Sequence, residues 1–496
     1  NHVNTTEECS VCHTTTAWRP TLAGGGSGAI NGTWGEPINV VTVSAKSNAI
    51  TLVQGPELAW GENGTGFVSL RKNTGFNYVT GKFAVGEDIV QRFDSATQAW
   101  TVKSPVPAAQ SKAADFAQIK AYGTQGKAYA LWAYGADLHF NTFSGSTWST
   151  PEQMGASSPE NYHLLVTPSG AAVVVWVEGG DLVAKRYTPA SGNTPASWTS
   201  AQTLTVADPY FMPPSVAMDA EGNVAVAWLH QASATGVEHW KTHMASNSVV
   251  DNTWSAIQAG QDVPVGTTPL NLHLVMHGAP GLPLMVVQVS SNVLVKGGEL
   301  FASASHADGS WGMWENLDYN VNMPDKLVGH ASVSYNNAGD VVVLWTEREV
   351  MNTEVQFHVF ANYYASEIAP SKTVNTWEPP THVSMAVEAA SMSAMEETEP
   401  SMRLDDTGHL IVVWLATDGV NSKVLSNHYH KTAPAGSNPG WNGSPELIVN
   451  YDVATSGYAL SPQVGVSPGG KDIAVWKQVV RQQFGIDYKV WSSVVP

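Results

Sequence analysis

The chain has little cysteine, little charge and no long apolar segment. Only 2 of its 496 residues are cysteine, and 13% are charged. No apolar stretch approaches the roughly 18 residues that a membrane-spanning helix needs, so the sequence predicts no membrane span. The formal net charge of -18 would repel phosphate groups, which argues against nucleic acid as a partner. A Gly-x-Ser-x-Gly elbow, a Gly-rich phosphate loop and an evident acid/base pair of carboxylates are also missing, so the sequence indicates no catalytic residue.

Both cysteines lie in one short motif, Cys9-Ser10-Val11-Cys12-His13. This spacing is typical of covalent c-type haem attachment, in which each thiol adds to a vinyl group and the following histidine ligates the iron. A redox disulfide or half of a zinc site is the alternative, but zinc takes about four ligands and the chain has no second cysteine pair. The motif predicts one covalent haem c per chain, held by Cys9 and Cys12 with His13 as an axial ligand.

The motif also bears on where the protein works. Covalent haem attachment is completed outside the cytoplasm, so we expect a secreted, cell-surface or periplasmic protein. The chain begins with Asn1 rather than Met, as expected if a signal peptide has been removed.

Tryptophan recurs along the rest of the chain at intervals of 48 to 66 residues. The recurring residues are Trp34, Trp100, Trp148, Trp198, Trp254, Trp311, Trp377 and Trp441. Repeats of this length are typical of propeller blades. Between successive tryptophans, two runs of alternating apolar residues flank a Gly-containing turn, as in residues 216–228. This pattern predicts a β-hairpin.

Eight such hairpins are predicted, the fifth without a closing tryptophan. They end near Ser69, Trp132, Trp176, Trp228, Val287, Trp345, Trp414 and Trp476. Each is followed by a third strand, such as residues 138–143, and by a tryptophan-led fourth strand. The predicted fold is therefore all-β, an eight-bladed propeller of four-stranded blades over residues 34–496. Residues 1–33 form a separate, irregular haem-binding segment with a Gly-rich linker.

The two ends of the predicted propeller are incomplete. The last unit has no fourth strand, and the first tryptophan-led strand, residues 34–43, has no blade before it. We therefore predict that the N-terminal strand completes blade eight and closes the ring. A pair of β-sandwiches is the alternative architecture.

Some turns resemble degenerate Asp-box turns of sialidase-like propellers. They are Ser305–Trp311 and Asp251–Trp254, between predicted third and fourth strands. Sialidase activity is not expected, because the seven arginines include none in that family's Arg-Ile-Pro setting and arginine is the residue best suited to bind a carboxylate. The aspartates are expected to form turns by accepting hydrogen bonds from their own backbone.

The segment from His2 to Pro20 resembles one haem-binding repeat of multihaem class III-type c cytochromes. The matching residues are His2, Cys9, Cys12, His13, Thr14, Trp18 and Pro20. The resemblance implies that His13 is the proximal ligand and His2 the distal ligand of a bis-imidazole iron. Another histidine or a methionine is the alternative distal ligand. The family's next ligand, in a Phe-x-His pattern, is replaced here by a flexible Gly-rich linker, so one haem is expected.

A segment this short cannot bury a haem by itself. We therefore expect the porphyrin to pack against the propeller or at an interface with another chain. This predicts a homo-oligomer or another assembly through the haem segment, and a redox partner protein such as a multihaem cytochrome.

Three further groups of side chains contain atoms that could bind a metal. A loop with His382, Met385, Met392, Met395 and Met402 contains thioethers that could bind copper(I), but methionine more often fills gaps in packing. Both His428 and His430 lie on one face of a predicted third strand, and His239 and His243 flank Trp240 similarly. Without a third ligand, either pair is expected to be ordinary strand polarity.

The leading functional hypothesis is an exported monohaem c-type cytochrome that transfers electrons, with the propeller as a docking scaffold. The first alternative is a propeller binding module for a glycan or a surface protein, in which the haem is structural. The second alternative is a haem redox enzyme with a five-coordinate iron.

Overall fold

The computed structural model describes the propeller and the strand that closes it. The described residues are 34–46, 51–61, 65–77, 82–94, 97, 99–103, 117–123, 126–204, 213–234, 237–263, 267–277, 281–291, 299–306, 310–318, 327–336, 338–351, 354–364, 377, 380–383, 400–417, 421–431, 440–442, 445–465, 472–483 and 485–495. Within them, no helix has the length and apolar character needed to cross a membrane.

The first four blades follow one another along the chain. Blade 1 contains β2 (Thr51–Trp60), β3 (Gly66–Asn77), β4 (Lys82–Asp94) and β5 (Ala99–Val102). Blade 2 contains β6 (Gln118–Tyr122), β7 (Lys127–Tyr134), β8 (Asp137–Phe143) and β9 (Glu152–Gln153). Blade 3 contains β10 (Glu160–Val166), β11 (Ala172–Glu178), β12 (Asp181–Thr188), β13 (Ser197–Trp198) and β14 (Gln202–Leu204). Blade 4 contains β15 (Ser215–Met218), β16 (Val224–Ala234), β17 (Val237–Asn247) and β18 (Gln258–Asp262).

The other four blades repeat the arrangement. Blade 5 contains β19 (Thr267–His277), β20 (Leu282–Ser291), β21 (Glu299–Ala304) and β22 (Glu315–Asn316). Blade 6 contains β23 (Leu327–Tyr335), β24 (Val341–Met351), β25 (Glu354–Tyr364) and β26 (Thr381–His382). Blade 7 contains β27 (Ser401–Leu404), β28 (His409–Thr417), β29 (Asn421–His430), β30 (Gly440–Trp441) and β31 (Glu446–Asp452). Blade 8 contains β32 (Tyr458–Gly465), β33 (Ile473–Gln482), β34 (Gly485–Val494) and the N-terminal β1 (Ile38–Lys46), and a short helix α1 (Val453–Ser456) precedes it.

The strand order confirms the predicted eight-bladed propeller. In blades 1 to 7 the strands pair antiparallel in chain order from the inner to the outer strand, and in blade 8 the N-terminal β1 takes the outer position. All eight predicted hairpins are present, including the degenerate fifth. The alternative of two β-sandwiches is wrong. Blades 3 and 7 add one detail that the sequence did not predict: their outer position is filled by an interrupted strand, because β13 and β14 both pair with β12, and β30 and β31 both pair with β29.

The ring is closed by the N-terminal strand, as predicted. Strand β1 pairs antiparallel with β34, with Ile38 opposite Ser492 and Lys46 opposite Gly485. The strand begins four residues later than the predicted start at Trp34. Pro37 immediately precedes it and has no backbone N–H to donate to a ladder. Blade 8 is thus built from both ends of the propeller chain.

The middle strands of a blade are buried on both faces, because each blade lies between two others. In β11, Val174 and Trp176 point into the core shared with blade 2, whereas Val173, Val175 and Val177 point into the core shared with blade 4. This is the period of two expected of a strand. It explains why the strand has an almost continuous apolar sequence.

The recurring tryptophans bridge neighbouring blades. The Trp34 indole N–H donates to Ser426 Oγ at 2.8 Å, from blade 8 to blade 7, and Trp100 donates to Ser492 Oγ at 2.9 Å, from blade 1 to blade 8. Trp148 of blade 2 likewise donates its indole N–H to the preceding blade, where the Lys103 carbonyl of blade 1 accepts it. The tryptophans recur once per blade because these residues make the same kind of hydrogen bond to the preceding blade.

Arg186 makes a further polar contact between blades. It is buried on β12 in blade 3, and its guanidinium Nε donates to Asn247 Oδ1 at 2.9 Å. Its Nη2 donates to the Asn247 carbonyl at 2.7 Å, and its Nη1 to the Gly222 carbonyl at 2.5 Å. Both partners belong to blade 4, so one side chain joins two blades.

An Asp-box-like turn behaves as the sequence predicts. Asp251 Oδ1 accepts a hydrogen bond from the Thr253 backbone N–H at 3.1 Å. Trp254 then bridges back to Asn247 at the end of the third strand. Asp251 therefore forms the turn.

Candidate functional site

The predicted haem ligands lie in the part of the chain that the structure does not describe. Cys9, Cys12, His13 and His2 are all within residues 1–33, outside the described residues. Covalent haem, its axial ligands and the assembly through this segment therefore remain predictions.

The methionine-rich loop is only partly described. Met385, Met392 and Met395 lie outside the described residues, and of His382 only the backbone is described, paired with Phe360. Met402 packs against the apolar core between blades 6 and 7. For Met402 the packing role is therefore observed, and copper binding by the loop remains a prediction.

The predicted pair of His239 and His243 stays a prediction, and the structure gives His243 another imidazole as a neighbour. Its imidazole lies 5.1 Å from the ring of His230 on the neighbouring strand, measured between ring centroids. The side chain of His239 is outside the described part. His230 was missed because cross-strand neighbours are separated in sequence by the length of the hairpin.

Charged side chains from several blades meet in the central channel. The inner strand of each blade borders this channel, and Lys120 on β6 and Arg403 on β27 are both exposed there. Desolvation among the inner strands lowers the pKa of Lys120, and the nearby Arg403 lowers it further, while Glu57 on β2 opposes the change. Blades 1 and 8 separate the two cations around the ring, so their interaction crosses the channel.

Other inner-strand residues border the same pair of cations. Burial lowers the pKa of His163 on blade 3, and the charge of Lys120 adds to this effect. The Tyr335 hydroxyl on blade 6 donates to the Met218 carbonyl at 3.2 Å, and Arg403 acts on its pKa in the lowering direction against a larger raising effect of burial. Five blades thus contribute polar groups to one region. No local sequence spacing could reveal this, because the residues meet only when the ring closes.

A second cluster lies at the boundary between blades 7 and 8. The predicted shared face of His428 and His430 is confirmed, since their rings are parallel within 8°. The structure adds a third imidazole, His409 on β28, directly opposite His430 in the strand register. Its ring is stacked at 5.0 Å on His430 and at 5.3 Å on His428.

The position of His409 is fixed by the turn that precedes it. Asp405 Oδ1 accepts hydrogen bonds from the backbone N–H groups of Thr407 and His409, both at 2.9 Å. Gly408 has a φ of 79°, in the left-handed region that glycine adopts without strain. The Asp-Asp-Thr-Gly-His sequence therefore forms a tight hairpin turn that ends with the imidazole at the start of β28.

Asp472 completes the cluster from blade 8. One ligand atom each from His409, His428 and Asp472 can be chosen so that all three lie within 4.8 Å of one another, and His409 Nε2 lies 3.1 Å from His428 Nδ1. The Asp472 side chain is buried, and its Oδ1 has no hydrogen-bond partner among the described residues. A third ligand, missing from the sequence prediction for His428 and His430, is thus supplied by the neighbouring strand and the neighbouring blade.

Burial sets the protonation of this cluster. It lowers the pKa of His428 to about 3, with further lowering by His409 and His430. It raises the pKa of Asp472 to about 7, with a smaller contribution from Asp405. Burial also lowers the pKa of His409 and of His430. Near neutral pH the imidazoles are uncharged and present free ring nitrogens as acceptors or ligands.

Comparison with known proteins identifies no family for this chain. No protein-family model matches the chain, and no curated protein matches it. Among solved structures, the WD40 domain of SCAP from fission yeast has a TM-score of 0.44 at 11% identity and covers 93% of this chain and 95% of that chain. The Dos1 propeller has a TM-score of 0.42 at 10% identity, covering 92% and 94%. The polysaccharide lyase Uly1 has a TM-score of 0.40 at 10% identity, covering 79% and 91%. Similarities this low carry no information about ligand or reaction.

Proposed function

We propose that the propeller is a binding module whose central channel takes a glycan with a single carboxylate group. The observation that carries this is that Lys120 and Arg403 are exposed on the inner strands of blades 2 and 7, and the charge of Arg403 contributes to lowering the pKa of Lys120. An arginine fork can bind a carboxylate through two parallel hydrogen bonds, and a lysine adds a point charge. The exposed groups on the inner strands supply partners for sugar hydroxyls.

The charge distribution favours one carboxylate over a polyanion. The chain carries a formal charge of -18, which opposes the approach of a densely charged polymer. Lys120, however, interacts with one cation, Arg403, and one anion, Glu57, and all three side chains are exposed. This local group therefore contains two positive charges and one negative charge. A mostly neutral saccharide that ends in one acidic sugar meets little long-range repulsion and finds two local cations.

Binding of a disaccharide ending in glucuronate, compared with its glucose analogue, tests this proposal by isothermal titration calorimetry. Lys120→Met and Arg403→Met should each weaken binding of the acidic sugar by roughly tenfold to a hundredfold, as expected when one charge-assisted hydrogen bond is lost. The control Lys241→Met removes a cation from blade 4, where it pairs with Asp262 at 3.4 Å. Equal affinity for both sugars, or equal loss in the control, would contradict the proposal.

A second function is carried by a different observation, the Cys9-Ser10-Val11-Cys12-His13 motif. We propose that it binds one covalent haem c, with His13 and His2 as axial ligands, and that the haem exchanges electrons with a redox partner outside the cytoplasm. Oligomerisation through this segment, which would cover the porphyrin, belongs to the same proposal.

Expression in a host that matures c-type cytochromes tests the haem. Intact-mass spectrometry should show one covalently added haem, and the Cys9→Ala and Cys12→Ala double variant should lose it without a change in the far-ultraviolet circular dichroism of the propeller. A low-spin absorption spectrum that becomes high-spin in His2→Ala supports electron transfer. A high-spin spectrum in the unmodified protein would instead favour a haem enzyme, and an apoprotein mass would remove both.

A further inference from the structure

We propose that a divalent transition-metal ion binds at the boundary of blades 7 and 8, held by His409, His428 and Asp472. This site is separate from the channel and from the haem motif. The inference does not depend on either proposed function.

The distances between the donor atoms fit one small ion. A tetrahedral Zn²⁺ with bonds of about 2.0–2.1 Å to two imidazole nitrogens places those nitrogens about 3.3 Å apart. The observed separation of His409 Nε2 and His428 Nδ1 is 3.1 Å. The carboxylate oxygen of Asp472 lies in the same group of atoms, all within 4.8 Å of one another. Small side-chain adjustments would bring all three to bonding distance.

A hydrogen bond between the two imidazoles would also explain the short distance, but it leaves Asp472 Oδ1 without a partner in the described part of the chain. A buried carboxylate oxygen without a partner is costly, and such oxygens are normally paired with a cation or bound to a metal. A metal ion accounts for both the imidazole geometry and the carboxylate.

The boundary between blades 6 and 7 shows how a carboxylate just before a second strand is satisfied without a metal, in that case by the following blade. Asp340 precedes β24 in blade 6 as Asp472 precedes β33 in blade 8. It is fully buried, and Lys431 of blade 7 pairs with it at 2.7 Å while Asn336 Nδ2 donates to its other oxygen at 3.0 Å. At Asp472 the groups that face the carboxylate are imidazoles instead. Asp340 therefore forms an ion pair with a lysine, whereas Asp472 lies beside two imidazoles that can bind a metal ion together with it.

The donor types select the class of metal. Imidazole nitrogen combined with one carboxylate suits Zn²⁺, Cu²⁺ or Ni²⁺, whereas Mg²⁺ and Ca²⁺ take oxygen ligands. With three protein ligands, one coordination position remains for water. The ion would join blade 7 to blade 8 beside the strands that close the ring, so we infer that it stabilises the closed propeller.

Calorimetric titration of Zn²⁺ into metal-free full-length protein tests the site. The protein should carry Cys9→Ser and Cys12→Ser, so that no thiolate competes for zinc. We expect one Zn²⁺ per chain, no binding of Mg²⁺ and a higher melting temperature with Zn²⁺, since a ligand that binds only the folded state stabilises it. Asp472→Asn and His409→Gln should each weaken Zn²⁺ binding by at least roughly tenfold. The matched control Asp340→Asn alters the equivalent carboxylate at the next boundary and should bind Zn²⁺ unchanged.

Cobalt(II) gives a second readout that does not depend on the folding of a variant at the proposed ligands. Co²⁺ bound to the same protein should show the visible absorption of a tetrahedral site with nitrogen and oxygen ligands, and Zn²⁺ should displace it. The absence of this absorption, or Zn²⁺ affinity equal in Asp472→Asn and Asp340→Asn, would overturn the proposal. Loss of glycan binding or of haem would leave it unaffected.

Discussion

Asp472→Asn should stabilise the metal-free protein at alkaline pH. The Asp472 carboxyl is buried beside uncharged imidazoles, and an ionised carboxylate is poorly solvated there. The groups that face it are His409 and His428 of blade 7, and Asp405 in the nearby turn adds a like charge. Asparagine has nearly the same shape and stays uncharged at every pH. The substitution therefore removes the ionisation and leaves the packing in place.

The magnitude follows from the pKa of this group. Burial raises the pKa of Asp472 from 3.8 to about 7. Because the folded-state pKa is above the unfolded value, the stability that the protonated group contributes is present below pH 3.8 and is lost as the pH rises through about 7. At about 1.36 kcal/mol per pKa unit, the loss is about 4 kcal/mol as an upper value. The imidazole of His428, with its pKa lowered to about 3, stays neutral over this range.

Urea unfolding from pH 4 to pH 8 in the presence of a chelator measures this loss. The free energy of unfolding of Asp472→Asn minus that of the unmodified protein should rise by up to about 4 kcal/mol between these two pH values. Taking the difference cancels every other titrating group. A difference that does not change with pH would show that Asp472 is ionised in the folded protein at acidic pH, and the reasoning from its burial would be refuted.

Three further predictions concern the ring itself. Trp34→Phe and Ser426→Ala should each lower the free energy of unfolding by about 1 kcal/mol, and the double variant should lose little more, because both remove one hydrogen bond. Arg186→Met should cost about 3 kcal/mol in urea unfolding, since it leaves several buried acceptors without a donor; a cost below about 1 kcal/mol would contradict this. Deleting residues 1–46, which removes β1, should cause aggregation in size-exclusion chromatography, because it exposes the edge of β34, whereas deleting residues 1–33 should give a monodisperse propeller.

The fold was predictable because its signals are local. Alternation of apolar residues on both sides of a glycine turn identifies a hairpin within about a dozen residues. The tryptophan interval extended this to the whole ring. Even the fifth hairpin was found without its tryptophan, since Val287 is fully buried in β20 and keeps the apolar pattern. The interrupted outer strands of blades 3 and 7 were missed, because β13, β14 and β30 are only two or three residues long and leave no period to detect.

The candidate metal site was only half predictable. The spacing of His428 and His430 placed two imidazoles on one strand face. His409 joins them through the register of a hairpin, and Asp472 joins them through packing between blades. One signal could have indicated both, because His409 and Asp472 each stand just before an apolar residue at the start of a second strand. Equivalent positions in adjacent blades come close in space. A contact between them can be predicted only after the blades have been counted and aligned.

The pairing of β1 with β34 also determines the order of events during synthesis. Ile38 leaves the ribosome long before its partner Ser492 has been translated. Strand β1 therefore has no partner strand while seven blades and most of the eighth are synthesised. Such distant contacts form late in folding. Until β34 has been made, the edge of β1 that will pair with it is exposed, and a chaperone that covers this edge would keep it from joining another copy.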